Sequence, residues 1–163
     1  MSRRTEYLEA AADRVMIQDM LARYAWEIDH GTPEGFAAVF AEDGVFEVVA
    51  LKLRVEGTRD IVSFAKDLQR TMPNLHHVMS NFVINISGNR ASGRCELNEF
   101  MVLPDAIYPN VQGWYEDDYV FDGERWRIQR RCNFFAPSAA GAVGPLAAYS
   151  AAFMEACAKY QHA

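Results

Sequence analysis

The chain has 163 residues, of which 50% are hydrophobic and 23% are charged, and its formal net charge is −6. This length and composition predict one globular domain, residues 1–163, with its own core, and they exclude a disordered chain. The acidic balance argues against a nucleic-acid partner, which would select a basic surface, and no apolar run approaches the length of a membrane span.

The first half of the sequence predicts three helices around one short hairpin. Apolar residues recur every three or four positions in the first helical segment and form a single stripe that includes Tyr24. Glycine and proline then mark where elements end and begin. The predicted elements are a helix over residues 8–29, a second helix from Pro33, a turn at Asp43-Gly44, strands over residues 45–49 and 51–55, and a third helix that Thr58 caps and that ends near Pro73.

The second half changes to the period of β-strands. Short turns at Gly88-Asn89 and Asp122-Gly123 separate long runs rich in Val, Ile and aromatic residues, which predicts an antiparallel meander. The predicted strands cover residues 75–87, 91–103, 111–121 and 125–135, with a loop over residues 104–110. Helices followed by strands are typical of an α+β domain, in which three N-terminal helices cover a curved antiparallel sheet.

The tail segment, residues 137–163, predicts an apolar C-terminal helix. A helix with so few charges must bury most of its surface. We expect it to close the open end of the sheet or to dock on another subunit.

Four widely separated polar residues are candidates for one site. Tyr24 lies on the inner stripe of the first helix, and Asp29 lies at its C-terminal end, where a carboxylate opposes the helix dipole and needs a cationic partner. His77 begins a strand, and Arg131 lies near the end of the last strand. A carboxylate, an imidazole, a phenol and a guanidinium on one concave face could move a proton and stabilise negative charge.

Each of the four residues also has a purely structural interpretation. Asp29 can be a turn residue, His77 a core histidine, Tyr24 a core aromatic residue and Arg131 a solvated strand residue. From spacing alone, each structural interpretation is favoured individually. The predicted layout, which brings all four to one cavity, favours a shared site.

A metal or an organic cofactor is not expected. Adjacent strand residues point to opposite faces, so His76 and His77 cannot both enter one pocket. The sequence also lacks a compact metal-ligand motif and a Gly-rich phosphate loop. Three dispersed cysteines and the absence of a signal peptide favour a reduced, cytoplasmic protein.

Five segments together resemble the SnoaL-like branch of the NTF2-like superfamily, whose members are cone-shaped α+β barrels. The resemblance extends from about Arg14 to Phe135. The segments are IQDMLARYAWEID at 17–29, FAAVFAEDGVFE at 36–47, HHVMSNFVI at 76–84, the G-x-Y-x-D pattern at Gly113, Tyr115 and Asp117, and WRIQRRCNFFAP at 126–137.

The resemblance implies roles for particular residues. In bile-acid 7α-dehydratase and lindane dehydrochlorinase, an Asp near the end of the first helix pairs with a strand His, and the separation of Asp29 and His77 agrees. The dehydratases, scytalone dehydratase included, place a tyrosine about one turn before that Asp, which falls on Tyr24. An essential arginine of the dehydrochlorinase falls on Arg131. The predicted substrate-binding residues are Tyr115, Phe40, Asn98 and Phe100.

The resemblance implies a cofactor-independent lyase, of the dehydratase or dehydrohalogenase type, or an isomerase. Its substrate would be a small hydrophobic ring compound, with His77 as the base and Asp29 orienting it. The competing hypothesis is a non-catalytic small subunit of an aromatic-ring-hydroxylating dioxygenase, or a small-ligand-binding module. We also expect a homo-oligomer, a trimer by resemblance with a dimer as the alternative, because the tail helix and the outer sheet face need cover.

Overall fold

The fold is a six-stranded curved sheet with four helices, in a computed structural model that describes residues 3–136 and 146–162. Two helices precede the first strand, a third lies between the second and third strands, and the fourth follows the last strand. The helices are α1 (Arg3–His30), α2 (Pro33–Ala37), α3 (Thr58–Thr71) and α4 (Ala147–Cys157). The strands are β1 (Phe40–Val48), β2 (Leu53–Glu56), β3 (Leu75–Ser87), β4 (Arg90–Val102), β5 (Ile107–Phe121) and β6 (Trp126–Phe135). The predicted α+β class is confirmed.

The strand order in the sheet is β2-β1-β6-β5-β4-β3. Strands β3 to β6 form the predicted antiparallel meander, and β1 pairs with β2 as the predicted hairpin. Strand β1 also runs parallel to β6, a pairing that the sequence analysis did not predict. Because β3 is the last strand on its side, its N–H groups at that edge are free to bond with the helices.

The core lies between the helices and the concave face of the sheet. Helix α1 buries the predicted stripe, and its buried residues are Ile17, Met20, Leu21, Tyr24 and Ile28. Their spacing of three and four places them on one side of the helix. The stripe therefore carries Tyr24 into the interior of the cone, as predicted.

Three local predictions were wrong. The predicted turn at Asp43-Gly44 lies within β1, where the pairing with β6 shifts register. The N-cap of α3 is Gly57, whose φ of 78° suits glycine, and Thr58 is the first helical residue. Strand β5 begins at Ile107 and includes Pro109, which lies beside a second register shift. At an irregularity of this kind a proline is tolerated without an N–H group.

Helix α4 docks on α3, and the first part of the predicted tail, residues 137–145, lies outside the described residues. The ring of Phe64 lies 6.2 Å from that of Phe153 and 6.1 Å from that of Tyr160. The hydroxyl of Tyr160 donates to Ser63 Oγ at 2.8 Å. Most of the other α4 side chains remain exposed, so the expected burial of most of this helix does not occur within the described chain.

Among the described residues, none of the helices combines the length and apolarity that a membrane span requires.

Candidate active site

Asp29 and His77 meet at the edge of the sheet, where α1 ends against β3. The ring Nδ1 of His77 lies 2.6 Å from Asp29 Oδ1, and the backbone N–H of His77 donates to Asp29 Oδ2 at 2.7 Å. Their side chains are only 4% and 6% exposed. The prediction that these two side chains face each other, with His77 rather than His76 directed inward, is confirmed.

The second ring nitrogen of His77 faces Glu99, a residue that the sequence analysis missed. His77 Nε2 lies 3.4 Å from Glu99 Oε1, and Asn110 Nδ2 donates to Glu99 Oε2 at 3.0 Å. His77 and Glu99 are cross-strand partners on β3 and β4. The imidazole is therefore held between two carboxylates, one at each ring nitrogen.

The two carboxylates control the charge of the imidazole. Burial disfavours the imidazolium, but the negative charges of Glu99 and Asp29 and their hydrogen bonds outweigh it and raise the pKa of His77 to about 9. In this geometry both ring nitrogens can donate. At neutral pH the imidazole of His77 therefore stays protonated, with one ring N–H directed at Asp29 and the other at Glu99.

A stack of three side chains fills the interior beside this group. The guanidinium carbon of Arg131 lies 4.1 Å from the ring centroid of Tyr24 and 4.0 Å from that of Tyr115. The two tyrosine hydroxyls are 3.4 Å apart. The Tyr24 ring meets the His77 ring edge-on, with centroids 6.4 Å apart. Burial raises the pKa of Tyr24 to about 12, so its phenol keeps its proton at neutral pH.

Arg131 is paired within the protein rather than free for a ligand. Its Nε and Nη2 donate to the two oxygens of Asp117 at 2.8 and 2.7 Å, and its side chain is 0% exposed. Tyr119 also donates to Asp117, at 2.7 Å. The structural interpretation of Arg131 as a solvated strand residue is wrong, because β6 carries it into the core. Direct contact between Arg131 and a substrate anion stays a prediction, and the ion pair with Asp117 argues against it.

The G-x-Y-x-D pattern gains a structural explanation. Gly113, Tyr115 and Asp117 alternate along β5 and are all buried. A Cβ at position 113 would collide with the carbonyl oxygen of Phe134 on β6, so only glycine fits there. Tyr115 covers one side of Arg131, and Asp117 neutralises it. The pattern thus builds one face of the interior.

Two predicted substrate-binding residues lie on the wrong face of the sheet. Asn98 and Phe100 alternate with the buried residues of β4, so they point to the outer face, while Glu99 points inward. This alternation is regular along β4, whose buried residues include Cys95, Leu97 and Met101. The irregular strand is β3, which has a bulge between Ser80 and Val83 where two of its residues oppose one residue of β4. This bulge shifts the register by one residue and places Glu99, not Phe100, opposite His77.

The other two predicted substrate-binding residues lie inside the cone. Phe40 is 3% exposed and packs its ring 6.0 Å from that of Tyr24, and Tyr115 is 1% exposed. Asn133, which the sequence analysis did not select, faces Tyr115 across β5 and β6 and is 4% exposed. Its Oδ1 has no hydrogen-bond partner among the described residues. A buried acceptor of this kind is suited to a donor on a ligand.

A small cavity opens beside Asp29 and His77. It has a volume of about 170 Å³, and its walls come from the ends of α1 and α3 and the start of β3. An engineered apolar cavity of ~150 Å³ can hold benzene, whereas drug-sized ligands need about 300 Å³ or more. A second, more open depression of about 560 Å³ lies on the outer sheet face and contains none of the predicted catalytic residues.

The fold and this interior define a member of a known class of small α+β barrels. The family model described as the SnoaL-like domain matches residues 9–132, and the chain belongs to this family. Rv2910c of Mycobacterium tuberculosis, an uncharacterised protein, is 30% identical over 124 residues, which cover 74% of this chain and 83% of that protein.

Solved structures of low sequence identity share the fold. A variant of Rv3472 from Mycobacterium tuberculosis, a protein of unknown function, has a TM-score of 0.86, 22% identity and coverage of 94% of both chains. A candidate scytalone dehydratase from Novosphingobium aromaticivorans has a TM-score of 0.70 and 20% identity, and the match covers 85% of this chain and 95% of that one. The β subunit of a candidate aromatic-ring-hydroxylating dioxygenase from the same species has a TM-score of 0.68 and 17% identity, with coverage of 87% and 98%.

Proposed function

We propose that this protein is a cofactor-independent lyase or isomerase that moves a proton on a small hydrophobic ring compound. The observation that carries the proposal is the imidazole of His77, which is buried between the carboxylates of Asp29 and Glu99. A buried imidazole with a carboxylate at each nitrogen is a proton-transfer assembly, since one carboxylate orients the ring and the other can exchange a proton with it.

Asp29 has the orienting role in this proposal. It accepts from both the ring and the backbone of His77, so it fixes the ring relative to the strand that carries it. Glu99 keeps a proton-accepting oxygen in the site even when the imidazole holds its own proton. In an elimination, Glu99 and His77 would together take a proton from carbon. They would return a proton to a departing hydroxyl, which leaves as water, whereas a halide would leave as the anion while the proton stays on the pair.

Tyr24, Tyr115 and Asn133 would bind the substrate in the proposed reaction. The two phenols stay protonated at neutral pH and can donate to a carbonyl or a leaving group, because burial raises the pKa values of both. Asn133 Oδ1 can accept from a substrate hydroxyl. The cavity of about 170 Å³ is lined by Asp29 and His77 rather than by these three residues, and its volume suits a single six-membered ring better than a steroid. Arg131 would act through the tyrosines that it stacks on rather than by touching the substrate.

The test is turnover of monocyclic hydroxy-ketones and halogenated rings by matched variants. Removing a positioned acid or base typically costs a factor of ~100 to 10,000 in rate, so His77→Gln and Glu99→Gln should each lose activity on that scale. Glu96→Gln, on the outer face of the same strand, and His162→Gln, an exposed histidine, should retain it. Full activity in both His77→Gln and Glu99→Gln, with normal melting temperatures, would refute the proposal.

The alternative function is a non-catalytic subunit, such as that of a ring-hydroxylating dioxygenase. The outer face of the sheet favours it, because its aromatic side chains Trp114 and Phe134 stack at 5.4 Å and remain half-exposed. The effect of His77→Gln on catalysis distinguishes the two functions. In a subunit, His77→Gln would leave the partner's catalysis unchanged, while substitutions at Trp114 would disrupt assembly.

A further inference from the structure

Two histidines and an aspartate, side chains of types that can ligate a metal, meet at the edge of β3. Asp29 and His30 end α1, and His76 lies on the opposite face of β3 from His77. One possible ligand atom from each of Asp29, His30 and His76 lies within 4.8 Å of the others. The sequence analysis excluded a site built from His76 and His77, and the structure instead supplies the second imidazole from the helix.

We propose that Asp29, His30 and His76 bind one divalent transition-metal ion of the zinc, cobalt or nickel type. Two imidazoles and a carboxylate are a donor set that such ions favour over Mg²⁺ or Ca²⁺. Bonds of ~2.0 to 2.2 Å require the donor atoms to approach to about 3.5 Å or less. Because His30 is exposed and His76 is only half-buried, rotations of their side chains can close the remaining distance.

Asp29 can serve the metal and His77 together. Each of its oxygens accepts one hydrogen bond from His77, at 2.6 and 2.7 Å. A carboxylate offers about four lone-pair positions, so lone pairs remain for a metal on the other side. The ion would be one carboxylate away from the imidazole of the proposed active site. Three protein ligands would leave open positions for water or for a ligand in the adjoining cavity.

An aromatic stack alone is the competing explanation for this cluster. The His30 ring lies 4.9 Å from the Trp26 ring and 5.1 Å from the His76 ring. Such a stack stabilises the edge without an ion. The substitution His30→Phe separates the two explanations, because it keeps a ring in the stack and removes the donor nitrogen.

The experiment uses tag-free full-length protein that has been stripped with a chelator and is then titrated with Zn²⁺ by calorimetry and with Co²⁺ by absorption spectroscopy. We expect one saturable equivalent per chain. Loss of even an indirect metal partner typically weakens affinity by roughly 10- to 100-fold, so His30→Phe and His76→Gln should each weaken it at least that much. His162→Gln removes an exposed histidine remote from the cluster and should leave the affinity unchanged.

Two outcomes would overturn the proposed metal site. One is the absence of a saturable equivalent, and the other is an affinity that is the same in His30→Phe as in the unchanged protein. Metal binding is measured without substrate, so its failure would leave the proton-transfer proposal intact. Loss of catalysis in the chelated Glu99→Gln variant would likewise leave the metal site intact.

Discussion

His77 donates twice to the same carboxylate: its backbone N–H reaches Asp29 Oδ2 at 2.7 Å, and its ring Nδ1 lies 2.6 Å from Asp29 Oδ1. The backbone bond is possible because β3 is an edge strand whose N–H groups are not all used by β4. The end of α1 is thereby tied to the strand that carries the imidazole. The orientation of His77 depends on the position of the helix as well as on its own rotamer.

The substitution Asp29→Asn should misorient His77. An amide has one acceptor oxygen, so its NH₂ group must face one of the two His77 donors. We expect turnover of the best substrate to fall by ~100-fold or more. Because Asp29 and His77 act as a unit, the double variant Asp29→Asn/His77→Gln should be little worse than His77→Gln alone. Losses that simply multiply in the double variant would contradict the proposed unit.

The stability of the fold should decrease as pH rises from about 6.5 to 9. The pKa of His77 is raised from 6.5 to about 9, so the folded state binds this proton more tightly than the unfolded chain does. The stabilisation is fully present below the unfolded value and is lost as pH rises through the folded value. Buried cysteines add to the decrease in the upper part of this window, because unfolded thiols lose their protons from about pH 8, whereas burial raises the pKa of Cys95 to about 11 and that of Cys132 to about 12. The difference between the unchanged protein and His77→Gln therefore isolates the contribution of the histidine.

The measurement is urea unfolding between pH 6 and 9.5 with a chelator present, so that no metal competes for the site. His77→Gln should show a smaller decrease in unfolding free energy over the same range. His162→Gln, which alters an exposed histidine, should follow the unchanged protein. A flat profile for the unchanged protein would show that the two carboxylates do not hold the proton on His77.

The bulge in β3 explains why part of the site could not be predicted. The tight turn between β3 and β4 sets a register that, if continued, would place Phe100 opposite His77. Between Ser80 and Val83 the register shifts, and Asn81 there has a positive φ of 54°. A shift of one residue exchanges the two faces of a strand. It turns His77 inward and leaves Glu99, not Phe100, as its partner.

Other parts of the site were accessible from the sequence because they depend on regular periodicity. The three-and-four spacing of α1 fixes Tyr24 in the core and sets Asp29 at the helix end, and both predictions are confirmed. The partner of Arg131 was not predicted, because the register between β5 and β6 also shifts, next to Tyr119. Aligning Asp117 with Arg131 requires that irregularity, and strand patterns do not show where it occurs.

Arg131 and Asp117 should be strongly coupled in stability. Removing one partner of a buried ion pair leaves an uncompensated charge and typically costs roughly 3–5 kcal/mol. We therefore expect Arg131→Met and Asp117→Leu each to be severely destabilising. The double variant should recover much of the loss, because no charge of this pair then remains buried. Urea unfolding of the four proteins measures the coupling.

Arg130→Met is the matched control for the same strand. Arg130 is exposed and pairs with Glu47 at 2.6 Å on the outer face, so its loss should change stability by about 1 kcal/mol or less. A double variant at Arg131 and Asp117 that is as unstable as the sum of its single variants would contradict the coupling. It would indicate that the aromatic stack of Tyr24 and Tyr115 itself requires the guanidinium.

Self-association through the outer face of the sheet is the last prediction. Trp114 and Phe134 stack there with their rings 6° from parallel, and Val78 on β3 is 50% exposed. An antiparallel sheet face that carries half-exposed aromatic residues is suited to an interface. We expect a trimer, with a dimer as the alternative, in light scattering at micromolar concentration.

Trp114→Lys should yield a monomer, because a charge buried at the centre of an interface lacks a partner. Trp26→Lys changes a tryptophan that is 65% exposed on α1 and should leave the assembly unchanged. A monomer for the unchanged protein, or equal association of both lysine variants, would exclude this face as the interface.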